Sequence, residues 1–143
     1  MQEGQIEGSQ QTEREKVAII ACAGMDKTLG SVTRVCAFKI IEKLRPNETV
    51  LICIPPLITD VKPFSELIKK NSVITIDGCA ERCATKIAAK SGAKIRGRVF
   101  VPQSVQKYNL KPNTASDIGQ EGEKLAEKIA EETALLVDKI LGK

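Results

Sequence analysis

The sequence predicts an α/β protein: a single three-layer domain with a four-stranded, mainly parallel sheet and helices on both faces. Two observations support this fold class. Short runs of β-branched and aliphatic residues, typical of strands buried on both faces, alternate with longer segments of helical periodicity. Strand and helix alternate four times along the chain, and this order favours parallel strands joined by right-handed crossovers.

The composition agrees with one ordinary domain. The chain has 143 residues, 42% hydrophobic and 28% charged, and only 3% are aromatic, so we expect a soluble protein with an aliphatic core. Residues 1–16 are rich in Gln, Glu and Gly and predict a disordered tail, which leaves residues 17–143 as the α/β domain. No apolar run reaches the roughly 18 residues that span a bilayer, and no signal pattern is present, so we expect a cytoplasmic protein without a membrane partner.

Four apolar runs predict the strands. In chain order they cover residues 17–21, 49–54, 73–76 and 99–101. The third run ends at Asp77-Gly78, which is a turn signal. Pro55, Pro56 and Pro102 are predicted to end the second and fourth runs, because proline has no amide to donate to a ladder.

Four segments have apolar residues at helical spacing and predict the helices. In chain order they run from Thr28 or Ser31 to just before Pro46, from Lys62 or Pro63 to Lys70, from just after Gly78 to Gly92, and from Gly122 to Leu141. The stretch from Tyr108 to Gly119 is rich in turn residues and predicts a link.

Five cysteines and the absence of histidine limit the chemistry open to the chain. In a reducing compartment, cysteines are metal ligands, catalytic groups or core residues more often than disulfides. Without histidine, Ser-His and Cys-His dyads and any His-containing metal site are excluded. A bound metal must therefore use sulfur or oxygen ligands.

Four of the five cysteines fall at one edge of the predicted sheet. Cys22, Cys53 and Cys79 lie at or just after the C-terminal ends of the first three strands, and Cys83 is one helical turn beyond Cys79. Ligands of parallel sheets bind at this edge, so we expect the four thiols to converge there. Cys36 lies among apolar residues in the middle of a predicted helix, and we interpret it as a core residue.

The four thiols leave several chemistries open. Thiolates at tetrahedral distances suit zinc, and the same set can hold an iron–sulfur cluster. A thiol-redox enzyme is the main alternative, although Cys79 and Cys83 form a C-x-x-x-C pair where redox enzymes of the thioredoxin type have C-x-x-C. Four protein ligands leave no position for a water molecule on zinc, which argues against hydrolysis, and the sequence does not decide whether the protein is an enzyme.

A basic segment predicts a possible partner. Residues 81–111 contain eight lysines and arginines and only one acidic residue, Glu81. Such a segment suits an acidic protein partner, or it is an ordinary solvated face. Few aromatic residues are available to stack on bases, which argues against nucleic acid as the partner.

The motif I-D-G-C-A-E-R-C-A, at residues 76–84, resembles the signature of the DGC-domain family, small bacterial and archaeal proteins described as zinc-binding because they share four cysteines. The blocks C-A-G and C-I-P, which follow the first and second strands, are similar to the other cysteine blocks of that family, so the resemblance covers roughly residues 17–100. It implies an α/β fold with Cys22, Cys53, Cys79 and Cys83 as ligands of one Zn ion, and it implies no known reaction. Ala23 and Pro56 differ from the family pattern, in which serine and glycine are expected.

Overall fold

A computed structural model describes residues 15–143 as alternating strands and helices. The strands are β1 (Val17–Ala21), β2 (Thr49–Leu51), β3 (Ser72–Asp77) and β4 (Lys94–Phe100). The helices are α1 (Thr28–Lys39), α2 (Ile54–Ile58), α3 (Lys62–Lys70), α4 (Cys83–Lys90), α5 (Val101–Tyr108) and α6 (Gly119–Ile140), and a π-helical turn (Ile40–Leu44) continues α1.

The four strands form one parallel sheet in the order β2-β1-β3-β4. β1 pairs with β2 on one side and with β3 on the other, and Ala21 lies opposite Ile76 at the carboxyl end of the β1–β3 pair. Arg96 is an extra residue in β4, because Val73 pairs with Ile95 and Ile74 pairs with Gly97. The sheet confirms the predicted α/β fold class.

Each face of the sheet is covered by a separate layer of helices. The side chains of β1 alternate between the two resulting cores: Val17 and Ile19 belong to one, and Ala18 and Ile20 belong to the other. Residues of α1, α5 and α6 complete the first core, and residues of α2, α3 and α4 complete the second. The predicted three layers and the aliphatic character of the core follow from this alternation.

The prolines begin helices, and the prediction that they end strands is wrong. β2 ends at Leu51, and Pro55 and Pro56 lie in the first turn of α2. Pro102 likewise lies in the first turn of α5, and the fourth strand covers Lys94–Phe100 where residues 99–101 were predicted. A first-turn amide has no partner within its helix, so proline loses no hydrogen bond there and its fixed φ suits the helix.

The predicted tail, residues 1–16, lies mainly outside the described residues, and the division into tail and domain stays a prediction. The amide of Lys16 donates to the Asn71 side-chain oxygen at 3.1 Å, and the Ser72 hydroxyl donates to Glu15 at 3.0 Å. These two bonds attach the chain before β1 to the start of β3. None of the helices between residues 15 and 143 combines the length and apolar character needed to cross a bilayer.

Candidate metal centre

Three neighbouring strands each deliver one cysteine to the carboxyl edge of the sheet. Cys22 directly follows β1, and its amide donates to the Ile76 carbonyl of β3 at 3.0 Å. Cys53 lies two residues beyond β2, and Cys79 lies two residues beyond β3. Because β1 is the central member of the three and adjacent strands are about 4.8 Å apart, Cys22 lies between the other two.

At this edge, the connections that follow β1 and β3 leave toward opposite faces of the sheet. β1 leads into α1 on one face of the sheet, and β3 leads toward α4 on the opposite face. In parallel sheets, a crevice forms where two adjacent strands lead to helices on opposite faces, and ligands bind in that crevice. Cys22 and Cys79 lie on the two connections that part.

Thr33 fixes the position of Cys22. The Thr33 hydroxyl is buried, donates to the Gly30 carbonyl at 2.6 Å and accepts a hydrogen bond from the Ala23 amide at 2.9 Å. The Cys22 sulfur lies 3.7 Å from the same hydroxyl oxygen. Because the single hydroxyl proton is already donated to Gly30, the Cys22 thiol is the donor of the third contact.

Cys22 and Cys53 share a cavity. Cys53 is exposed at the N-cap of α2, Cys22 is half-buried, and both line a cavity of about 400 Å³ between the strand ends and α1. The structure therefore brings the thiols of the first two cysteine blocks to one open cavity.

The predicted helical register of Cys79 and Cys83 is wrong. α4 begins at Cys83, and residues 79–82 form a turn in which the Arg82 amide donates to the Cys79 carbonyl at 3.1 Å. Arg82 has a φ of 52°, in the left-handed region, which a right-handed helix cannot accommodate. The two thiols consequently flank a turn, and they do not share one face of a helix. Cys83 is exposed in the first turn of α4, at the positive end of the helix dipole.

Asp77 explains why α4 starts late. Its carboxylate is buried, with 1% of the residue exposed, and it accepts hydrogen bonds from the amides of Ala84 and Thr85 at 2.8 and 3.2 Å. The Thr85 hydroxyl donates to the same carboxylate at 2.6 Å and lies 2.8 Å from the Thr75 hydroxyl in β3. Asp77 thus acts as a helix cap placed six residues before Cys83, and it ties α4 to the strand that delivers Cys79.

Sequence reasoning treated Asp77 chiefly as a turn former and missed its role as the cap of α4. A cap normally directly precedes its helix, so local spacing gave no signal for this bond. One pattern could have indicated this cap. The helix has no Ser, Thr, Asp or Asn directly before its first residue, and an aspartate stands at the end of the preceding strand.

Glycines let the two cysteine loops touch. A Cβ atom at Gly78 would lie 2.9 Å from the Leu29 carbonyl carbon, and one at Gly30 would overlap Gly24, with 2.7 Å to its amide nitrogen. The loop after β1, the first turn of α1 and the loop after β3 are therefore in backbone contact. Gly78 was recognised from the sequence as part of a turn signal, whereas the close backbone contacts of Gly30 and Gly78 were not predicted.

The four thiols lie at one edge but are not gathered around a single point. Within residues 15–143, no three Cys, Asp or Glu side chains are arranged so that they could hold a metal ion. The donor set itself is chemically suited to a soft metal, since it contains thiols and no competing histidine.

Cys36 is a core residue, as predicted. It is fully buried in α1 among Val32, Ala37 and Ile40. Burial raises the pKa of its thiol to about 12, so the group stays protonated at neutral pH. A protonated, enclosed thiol is a poor metal ligand.

Comparison with known proteins gives one match. The family model of the DGC domain matches residues 18–131, which is most of the chain and includes all the cysteines. No curated protein matches the chain significantly. No solved structure matches it either.

Proposed function

The chain belongs to the DGC domain family, and we propose that it is a metal-binding protein in which Cys22, Cys53, Cys79 and Cys83 hold one Zn ion. One observation carries the proposal: three neighbouring parallel strands are each followed within two residues by a cysteine, at the edge where such sheets bind ligands. Thiolates bind zinc at about 2.3 Å in a closed tetrahedral site, a geometry that suits a structural or metal-handling role.

Metal binding by all four thiols requires a rearrangement of the turn at residues 79–82. The residues at its tip, Ala80 and Glu81, are exposed, and Arg82 at its end is in the left-handed conformation. The segments on either side are held, because Asp77 anchors the start of α4 and Gly78 contacts the first turn of α1. We infer that this turn and Cys83, which directly follows it, are the parts of the site that move, while β1, β2 and the part of α4 that Asp77 anchors, from Ala84 onward, keep their places.

Elemental analysis of anaerobically purified protein tests the proposal. We expect about one equivalent of zinc, no iron and no visible absorption. The double variant Cys79→Ser/Cys83→Ser should lose zinc, and the matched control Cys36→Ala should keep it, because Cys36 is buried in the core. Brown protein that contains iron would support the iron–sulfur alternative, and a double variant that retains full zinc would exclude the proposed ligand set.

A thiol-redox function is the second candidate, supported by the cavity that Cys22 and Cys53 share. It predicts a reversible change in the number of free thiols between mild oxidation and reduction, without bound metal. Thiol titration of the same preparations separates the two candidates, because zinc protects all four thiols from alkylation until a chelator is added.

We also propose an acidic protein partner for the basic segment. Lys94, Arg96 and Arg98 are exposed on β4, which is an edge strand. Poly-glutamate should bind the protein with an affinity that falls as salt rises, and replacement of these three residues by glutamine should remove the binding. Tighter binding of duplex DNA than of poly-glutamate would contradict the choice of partner.

A further inference from the structure

The cavity beside Cys22 and Cys53 has the volume and the lining residues of a small-molecule binding site. It encloses about 400 Å³, within the range of roughly 300–1,000 Å³ found for small-molecule pockets. Its walls are Leu51 at the end of β2, Ile54 of α2, Phe38 of α1 and the two thiols. A surface of this kind binds the apolar body of a ligand.

Arg34 is the one charged side chain among the residues that line the cavity. No carboxylate lines the cavity with it, and none of the ion pairs among residues 15–143 involves Arg34. Its guanidinium carbon lies 5.0 Å from the centre of the Phe38 ring, and this stacking holds the side chain at the cavity wall. A single cation at the wall of a largely apolar cavity selects the sign of the ligand charge.

We propose that this cavity binds a small organic acid, with the apolar body between Phe38 and Ile54 and the carboxylate paired with Arg34. Guanidinium presents its donors in a planar fork that matches a carboxylate, so the anion would be bound through two parallel hydrogen bonds. Cys22 and Cys53 would lie beside the bound acid. The assignment does not depend on the metal, because neither Arg34 nor Phe38 is one of the proposed ligands.

Isothermal titration with matched probes tests the proposal. The probes are hexanoate and phenylacetate, each paired with its neutral amide, hexanamide and phenylacetamide. We expect at least one acid to bind with a Kd below about 1 mM and at least about tenfold more tightly than its amide. Arg34→Met should remove this preference for the acid, and Arg34→Lys should keep part of it. The control Lys124→Met, at an exposed position of α6 that does not line the cavity, should leave the preference unchanged.

Three results of the titrations would overturn the proposal, and a fourth would come from the zinc content. The three are the absence of saturable binding by both acids up to about 1 mM, equal binding of acids and amides by the unaltered protein, and retention of the preference in Arg34→Met. The zinc content of each variant is measured in the same samples. Loss of zinc in Arg34→Met would instead make Arg34 a counter-ion of the thiolates, and would overturn the proposal, whereas zinc-free protein that binds the acid would contradict the proposed metal function alone.

Discussion

At the scale of single residues, Asp77 connects the fold to the candidate site. It is the last residue of β3, and its buried carboxylate accepts hydrogen bonds from the Ala84 and Thr85 amides in the first turn of α4. Cys79 and Cys83 are the two cysteines on either side of the turn that this bond closes. The position of both thiols therefore depends on one carboxylate that would never contact the metal.

Asp77→Asn should destabilise the protein and weaken metal binding. Asparagine keeps one acceptor oxygen, but its NH2 group would face either the Ala84 amide or the Thr85 amide and hydroxyl, which are donors, so we expect a loss of about 1–3 kcal/mol of unfolding free energy. Asp26→Asn, in the exposed loop after β1, is the control and should change little. Urea denaturation of the three proteins, with zinc affinity measured by competition with a chelator, checks the prediction. Equal stability of the two variants would show that the cap is energetically unimportant.

At the scale of elements, the two central strands were predicted from the sequence, whereas two short helices and the start of a third were not. β1 and α3 have the predicted bounds, because an unbroken aliphatic run and a strongly amphipathic segment depend only on local periodicity. α2 and α5 were not predicted at all, and α4 was predicted to start several residues too early. Pro55 can end a strand or begin a helix with the same local geometry, and the cap of α4 comes from a residue outside its own segment.

The close approach of the loop after β1 to the first turn of α1 is open to a direct test at Gly30. Alanine in a helix normally stabilises by up to about 1 kcal/mol over glycine, but a Cβ here would overlap the Gly24 backbone. We therefore expect Gly30→Ala to destabilise by about 1–3 kcal/mol. Gly24→Ala is the matched control, since its Cβ would meet no atom closer than 3.8 Å. A thermal melt in which Gly30→Ala is more stable than Gly24→Ala would refute the close packing of the Gly24 loop against the first turn of α1.

α6 is attached to the π-helical turn by an ion pair whose effect depends on pH. Arg45 binds Asp138 through two hydrogen bonds of 2.7 and 2.6 Å, and these bonds lower the pKa of the Asp138 carboxyl. A lowered pKa in the folded state adds stability above the unfolded value of about 3.9, and this stability is lost as the pH falls through the folded pKa.

Asp138→Asn should therefore lower the unfolding free energy at pH 7 and have no effect in acid. Both side chains are about one-quarter exposed, so solvent screening limits the difference to about 1 kcal/mol or less. Chemical denaturation from pH 7 to about pH 2.5 measures it. A difference between the two proteins that grows as the pH falls would have the wrong sign for this pair.

At the scale of the whole molecule, we expect the protein to remain folded without the metal. The sheet is covered on both faces, and the side chains of its two aliphatic cores include none of the four candidate ligands apart from Cys22, which lies at the margin of one core. The fold class was predictable because buried parallel strands have an unmistakable composition. The arrangement of the thiols was not, since it depends on the turn at residues 79–82 and on backbone contacts at Gly78.

Removal of metal should leave the secondary structure in place. Small zinc domains unfold without their metal because they have almost no hydrophobic core. This chain has two hydrophobic cores, one on each face of the sheet. Far-UV circular dichroism under reducing conditions should keep its helical form after chelation, with a lower Tm because a ligand of the folded state has been removed. A random-coil spectrum after chelation would mean that the metal holds the fold together.

The central claim is that one ion is bound by four thiolates, and X-ray absorption at the zinc edge measures this most directly. The proposal predicts a first shell of four sulfur atoms at about 2.3 Å in the unaltered protein. In Cys79→Ser/Cys83→Ser, any residual metal should have only two sulfur neighbours, from Cys22 and Cys53. A first shell of oxygen or nitrogen in the unaltered protein, or a sulfur count that the double variant does not change, would contradict the assignment.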